Sequence, residues 1–174
     1  VSANWDDIPS LVKLLGFFML FAAAHAGGIY LRQRTELQAL AEGLNFLGAG
    51  LFLGGMALIS QIYQVEGRPP TMILIWFLAI APLSWCFRSV TITCLSIAAL
   101  LVWLHMEQYE LGGNRFIFSF ASTLMVEVGV GIALIGLAAL LREPEPRIAA
   151  AFRGCGLLLL FYGVYMMGFY RHFS

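Results

Sequence analysis

Residues 37–63 read LQALAEGLNFLGAGLFLGGMALISQIY, from Leu37 to Tyr63, and Glu42 is their one charged side chain. At a rise of about 1.5 Å per residue, a helix of this length matches the roughly 30 Å hydrocarbon core of a bilayer. The same pattern recurs on both sides of it: long apolar stretches divided by short charged hinges. Hydrophobic residues make up 60% of the 174, charged residues 11%, and the mean hydropathy is +0.84. A water-soluble domain of this size cannot hide so much apolar surface, so lipid must be the solvent for most of it.

The expected fold is therefore an all-α polytopic integral membrane bundle of about six transmembrane helices, over residues 9–31, 37–63, 71–87, 89–106, 116–141 and 149–170. Pro9 opens the first span, and Arg32 and Arg34 close it. Glu66-Gly67-Arg68-Pro69-Pro70 and Arg142-Glu143-Pro144-Glu145-Pro146-Arg147 read as loops, because successive prolines cannot continue a helix. The run from Met72 to Met106 is too long for one crossing. It divides at Arg88-Ser89 without a glycine, Pro82 is expected to kink the first half, and a loop carries Glu107, Glu110, Gly112, Gly113 and Arg115.

The six spans form a single transmembrane domain, 1–174, with no room for a second, soluble one. Val1-Ser2-Ala3 lacks a basic leader, so the chain reads as a piece of something longer that has lost an N-terminal segment and one preceding helix. With six spans, Arg32, Arg34, Arg88, Arg142, Arg147 and Arg153 fall on one face, and Lys13, Arg68, Arg115 and Arg171 on the other. This bias places the first face in the cytoplasm, and Trp5–Asp7 and the C-terminus outside. Five spans would give no preference.

Ten basic and ten acidic residues cancel, which leaves no nucleic-acid footprint. The three cysteines sit in apolar stretches at unpaired spacing and read as small hydrophobes, with neither a disulfide framework nor a metal site. Motifs of soluble-type catalysis are missing, and no cofactor is implied. Enzyme activity is therefore disfavoured.

Several residues could carry chemistry. Glu127 lies near the middle of the fifth span, where a carboxylate must be protonated, paired or facing water. Ser119, Thr123 and Gly131 share its helix face, so the stripe reads either as a proton- or cation-linked site or as hydrogen-bonding glue between helices. In the second span Gly43, Leu47, Gly50, Gly54, Ala57, Gln61 and Gln64 share one face. Gly50 and Gly54 form a GxxxG pair suited to close packing, within the chain or in a homo-oligomer. The other reading is a narrow pathway with Glu42 and Asn45 at one mouth. His25 lies near the depth of Glu42 and Asn45, where it could relay protons or simply find a polar partner. Trp5, Asp6 and Asp7 form an outer cluster that could bind a cation or a basic partner, or favour the helix dipole.

Asn4-Trp5-Asp6-Asp7-Ile8-Pro9, Ala24-His25 with Gly27-Gly28, and the glycine-rich helix ending in Gln61-Ile62-Tyr63 resemble a family of predicted multi-pass proteins. That family belongs to the bacterial inner membrane and is known as a domain of unknown function. The resemblance covers roughly residues 3–88. It implies a short cytosolic segment and one more helix before Trp5, and brings no catalytic residues. The leading functional expectation is translocation of a small solute, ion or lipid through a protonatable midplane Glu127. The alternative is a non-catalytic scaffold or sensor that binds partner proteins in the membrane. Membrane lipids are partners in either case.

Overall fold

A computed structural model describes residues 8–64, 67–112 and 116–173. Among them are six α-helices and no strand: α1 (Ser10–Arg32), α2 (Gln38–Tyr63), α3 (Pro69–Cys86), α4 (Val90–Gly112), α5 (Phe116–Leu140) and α6 (Pro146–Phe173). Five are long and apolar enough to cross a membrane, and α5 contributes a further apolar stretch, Leu124–Leu140. Many large side chains point away from the protein: Met19, Leu140 and Phe161 are 72%, 77% and 73% exposed. In water each would forfeit about 2 kcal/mol of burial; against lipid tails the exposure is ordinary.

The helix ends differ from the sequence expectation in three places, each for a local reason. Pro69 and Pro70 begin α3 rather than ending a loop, and Pro146 begins α6 three residues early. Proline lacks only an N–H that the first helical turn leaves unbonded, and its fixed φ suits that turn. The third difference is α4, which continues through Glu107 and Glu110 to Gly112. Carboxylates at the end of a span reach interfacial water while their backbone stays helical.

The α3–α4 reversal falls at Arg88-Ser89. Arg88 takes the left-handed conformation (φ 45°) that a glycine would ordinarily supply. Its N–H donates to the Trp85 carbonyl oxygen (3.2 Å), and the Ser89 N–H donates to that of Ser84 (3.2 Å). This pair of bonds satisfies the last carbonyls of α3. Ser89 then caps α4, accepting the Ile92 N–H on its side-chain oxygen at 3.3 Å. Left-handed backbone costs a non-glycine residue about 1 kcal/mol. Arg88 also extends its guanidinium to Glu145, Nε to Oε1 2.9 Å, tying this turn to the α5–α6 turn.

The chain forms two compact units, Val1–Arg68 and Pro69–Ser174. In the first, α1 and α2 are an antiparallel hairpin whose α2 side buries Ala41, Asn45, Gly48, Ala49 and Gly55. In the second, α3 packs on α4 and α5 on α6, and α4 touches both α5 and α6. Ile80, Ile92 and Ile148 are completely buried there.

Candidate functional site

In the second unit Glu127 is the one buried acid among the described residues, 5% exposed. Its partner is His105 on α4, with Nε2 2.9 Å from Glu127 Oε1. The other ring nitrogen of His105, Nδ1, lies 2.7 Å from the carbonyl oxygen of Leu101, one turn back on the same helix. A carbonyl oxygen can only accept, so Nδ1 carries a hydrogen and donates it.

That bond fixes the proton count at the other end of the ring. The Nε2–Oε1 contact needs one proton, which sits either on the imidazole or on the carboxyl group. The first arrangement is an ion pair, the second a neutral pair, and both have zero net charge. The pair can therefore stay in a low-dielectric setting without the cost of a naked ion.

Two further observations give the pair a direction. The His105 side chain is 45% exposed, whereas that of Glu127 is only 7% exposed. The second carboxyl oxygen, Glu127 Oε2, is buried without a hydrogen-bond partner among the described residues. An unsatisfied buried acceptor costs about 1–3 kcal/mol. The buried acid thus lies behind a more exposed ring, and one carboxyl oxygen remains without a partner inside, among the described residues.

The buried hydroxyl groups of the α3–α4 hairpin do not extend this site. Thr93 Oγ1 donates to the Ser89 carbonyl (2.7 Å), Ser96 Oγ to that of Ile92 (2.8 Å), and Ser84 Oγ to that of Ala81 (2.6 Å). Each hydroxyl is satisfied by its own helix. Ser119 and Thr123 lie on α5, about two turns and one turn before Glu127 respectively, but their side chains fall outside the described residues. Trp5, Asp6 and Asp7 lie outside them as well.

In the first unit the structure brings His25 and Asn45 into the α1–α2 interface. A Cβ on Gly48 would come within 2.6 Å of the His25 ring, and one on Gly28 would collide with the Asn45 side chain. Phe21 meets the His25 ring edge-on at 4.8 Å. Asn45 is 1% exposed, and its Oδ1 has no partner among the described residues. Glu42 is half-buried one turn before Asn45.

Within this chain α2 makes its closest contacts through glycines other than Gly43, Gly50 and Gly54. Gly43, Leu47, Gly50, Gly54, Ala57, Gln61 and Gln64 do share a face, but that face is exposed. A Cβ on Gly43 or Gly50 would meet nothing within 4 Å, and one on Gly54 would only touch Phe17 at 3.6 Å. Gly48 and Gly55 make the close contacts instead, because α2 is rotated to bury its Asn45 face. Gly131 on α5 does pack tightly: its Cβ would lie 3.0 Å from the carbonyl oxygen of Gly156. The cysteines also differ in part from their reading. All three are free, but the sulfurs of Cys94 and Cys155 approach to 3.8 Å, the range of a thiol hydrogen bond.

Sequence reasoning missed His105. It ended the fourth helix at Met106, which put the ring at the membrane edge, far from Glu127. Had α4 been carried to Gly112, counting back along the two antiparallel helices would have brought His105 and Glu127 within about a turn of each other.

Helices of this length and apolarity, with many large apolar side chains exposed, define a multi-pass helical membrane protein. Residues 1–93, just over half of the chain, match a family described as "Predicted membrane protein (DUF2157)". The chain belongs to that family. No curated protein and no solved structure matches it.

Proposed function

We propose that this protein moves a small solute, ion or lipid across the bacterial inner membrane, with His105–Glu127 as its protonatable element. The observation that carries the reading is the 2.9 Å contact between Nε2 and Oε1, which a single shared proton accounts for. Gaining a second proton makes the pair +1, and losing the first makes it −1. Either charge is costly in a membrane unless an ion of opposite sign arrives. In the −1 state the unpartnered Glu127 Oε2 would face such a cation. Proton exchange and cation binding are thereby coupled at one carboxylate. The excess of Lys and Arg on the face bearing Arg88, Arg142, Arg147 and Arg153 supports a cytoplasmic location for that face.

The test is flux in proteoliposomes, measured for wild type and Glu127→Gln with a trapped pH dye, potassium and sodium efflux, and a fluorescent-lipid scrambling assay. The expected result is at least one flux above protein-free vesicles, reduced about tenfold or more by the substitution, since general acid–base groups contribute at least that much. Equal fluxes in both proteins would overturn the reading. The self-satisfied hydroxyls of Ser84, Thr93 and Ser96, which leave little polar lining, favour the rival reading of a scaffold or sensor. That rival requires no flux at all, together with a stoichiometric membrane partner on purification in mild detergent.

A further inference from the structure

At the turn between α5 and α6 lies an open cleft of about 460 Å³, within the usual range for ligand sites. Its α5 wall is Ile135, Ala138, Ala139 and Arg142, and its α6 wall is Pro146, Ala149, Ala150 and Arg153. Each wall follows the i, i+3, i+4, i+7 spacing of one helix face. Each also ends in an arginine, Arg142 in the turn and Arg153 two turns into α6. The alanines keep the cleft open, and the guanidinium groups set its charge.

Neither arginine has a partner among the described residues. The nearby Glu145 is occupied by Arg88 at 2.9 Å, and Glu143 does not line the cleft. Both walls continue into exposed apolar surface. Ile132, three residues before Ile135, is 59% exposed, and Leu157, four residues after Arg153, is 43% exposed. The site therefore offers one positive charge at the turn and a second about two turns further in, with a greasy track beyond them. A soluble anion would use only the first of these features; an anionic lipid uses both.

We propose that Arg142 and Arg153 bind the phosphate headgroup of an anionic glycerophospholipid in the α5–α6 cleft, with an acyl chain lying along Ile132 and Leu157. Forked guanidinium donors suit phosphate oxygens, and basic pockets between membrane helices are known to hold such headgroups. This site shares no residue with the His105–Glu127 pair and stands or falls apart from it.

The test is lipid titration of the full chain in detergent, read by native mass spectrometry, with phosphatidylglycerol and phosphatidylcholine as probes. Arg147→Gln serves as a control, because it removes the same charge from the same turn but outside the cleft lining. At roughly 1 kcal/mol per basic residue, Arg142→Gln and Arg153→Gln should each weaken phosphatidylglycerol binding about fivefold. Wild type should prefer phosphatidylglycerol over phosphatidylcholine about 25-fold on the same scale. Arg147→Gln should stay within about twofold, as a rim charge does. Arg142 lies in an exposed turn, so its variant keeps the test valid if Arg153→Gln misfolds. Equal losses in all three variants, or no headgroup preference, would overturn the proposal. Displacement of the lipid by millimolar inorganic phosphate would also overturn it, because the cleft would then be a site for soluble anions.

Discussion

The α1–α2 and α5–α6 hairpins both rely on glycine, in opposite ways. In α1–α2 a glycine on one helix receives a side chain from the other: Gly55 takes Phe17, Gly48 takes His25 and Gly28 takes Asn45. In α5–α6 the backbones themselves meet, and a Cβ on Gly156 would fall 2.8 Å from the Gly131 carbonyl oxygen. Side-chain sockets can adjust by rotation, whereas a backbone contact has no such freedom. The hairpins also treat their buried polar groups differently. Asn45 is held inside its own interface and has no proton to exchange. Glu127 instead turns out of the α5–α6 contact towards His105 on α4. In lipid, where burial itself provides little drive, close packing and polar contacts decide how helices associate.

Substitutions can break this contrast. The largest expected effect is Gly156→Ala, which forces a methyl group against the Gly131 carbonyl. Overpacking of this kind costs about 1–3 kcal/mol, and the upper half is expected, read as a lowered midpoint of thermal unfolding in detergent. Gly48→Ala should cost less, about 1 kcal/mol. The His25 ring can swing aside, and alanine regains up to about 1 kcal/mol of helix propensity. If Gly48→Ala proved as costly as Gly156→Ala, the sockets would be as rigid as the backbone contact. The smallest effect is expected for Gly50→Ala, neutral or stabilising by up to about 1 kcal/mol, because its Cβ would enter open space. A loss of stability there, or a changed oligomeric state by light scattering, would mean that the exposed glycine face of α2 is covered by another surface.

Much of the fold is legible in the sequence. Apolar length and charged hinges marked six helices, and Arg88-Ser89 was found as a reversal even though no glycine announces it. Helix rotation was not legible. In water one face of a helix is polar and declares the other buried, but α2 is apolar nearly all round because its neighbours and lipid are equally greasy. The sequence therefore points to the small-residue face through Gly50 and Gly54 for packing, while the face buried within this chain carries Ala41, Asn45, Gly48 and Gly55. The candidate site was half legible. A carboxylate in mid-span singles itself out by its cost, but its partner depended on where α4 ends, and Glu107 and Glu110 disguised that end as a loop.

The central claim is that His105 and Glu127 act as one proton-bearing unit. The most direct measurement is a double-mutant comparison of proton flux in proteoliposomes, with wild type, Glu127→Gln, His105→Asn and the double variant. Residues that work as a unit lose nearly everything with the first removal, so each single variant should match the double. If the losses multiply, or if His105→Asn retains wild-type flux while Glu127→Gln does not, the two residues act separately and the claim fails.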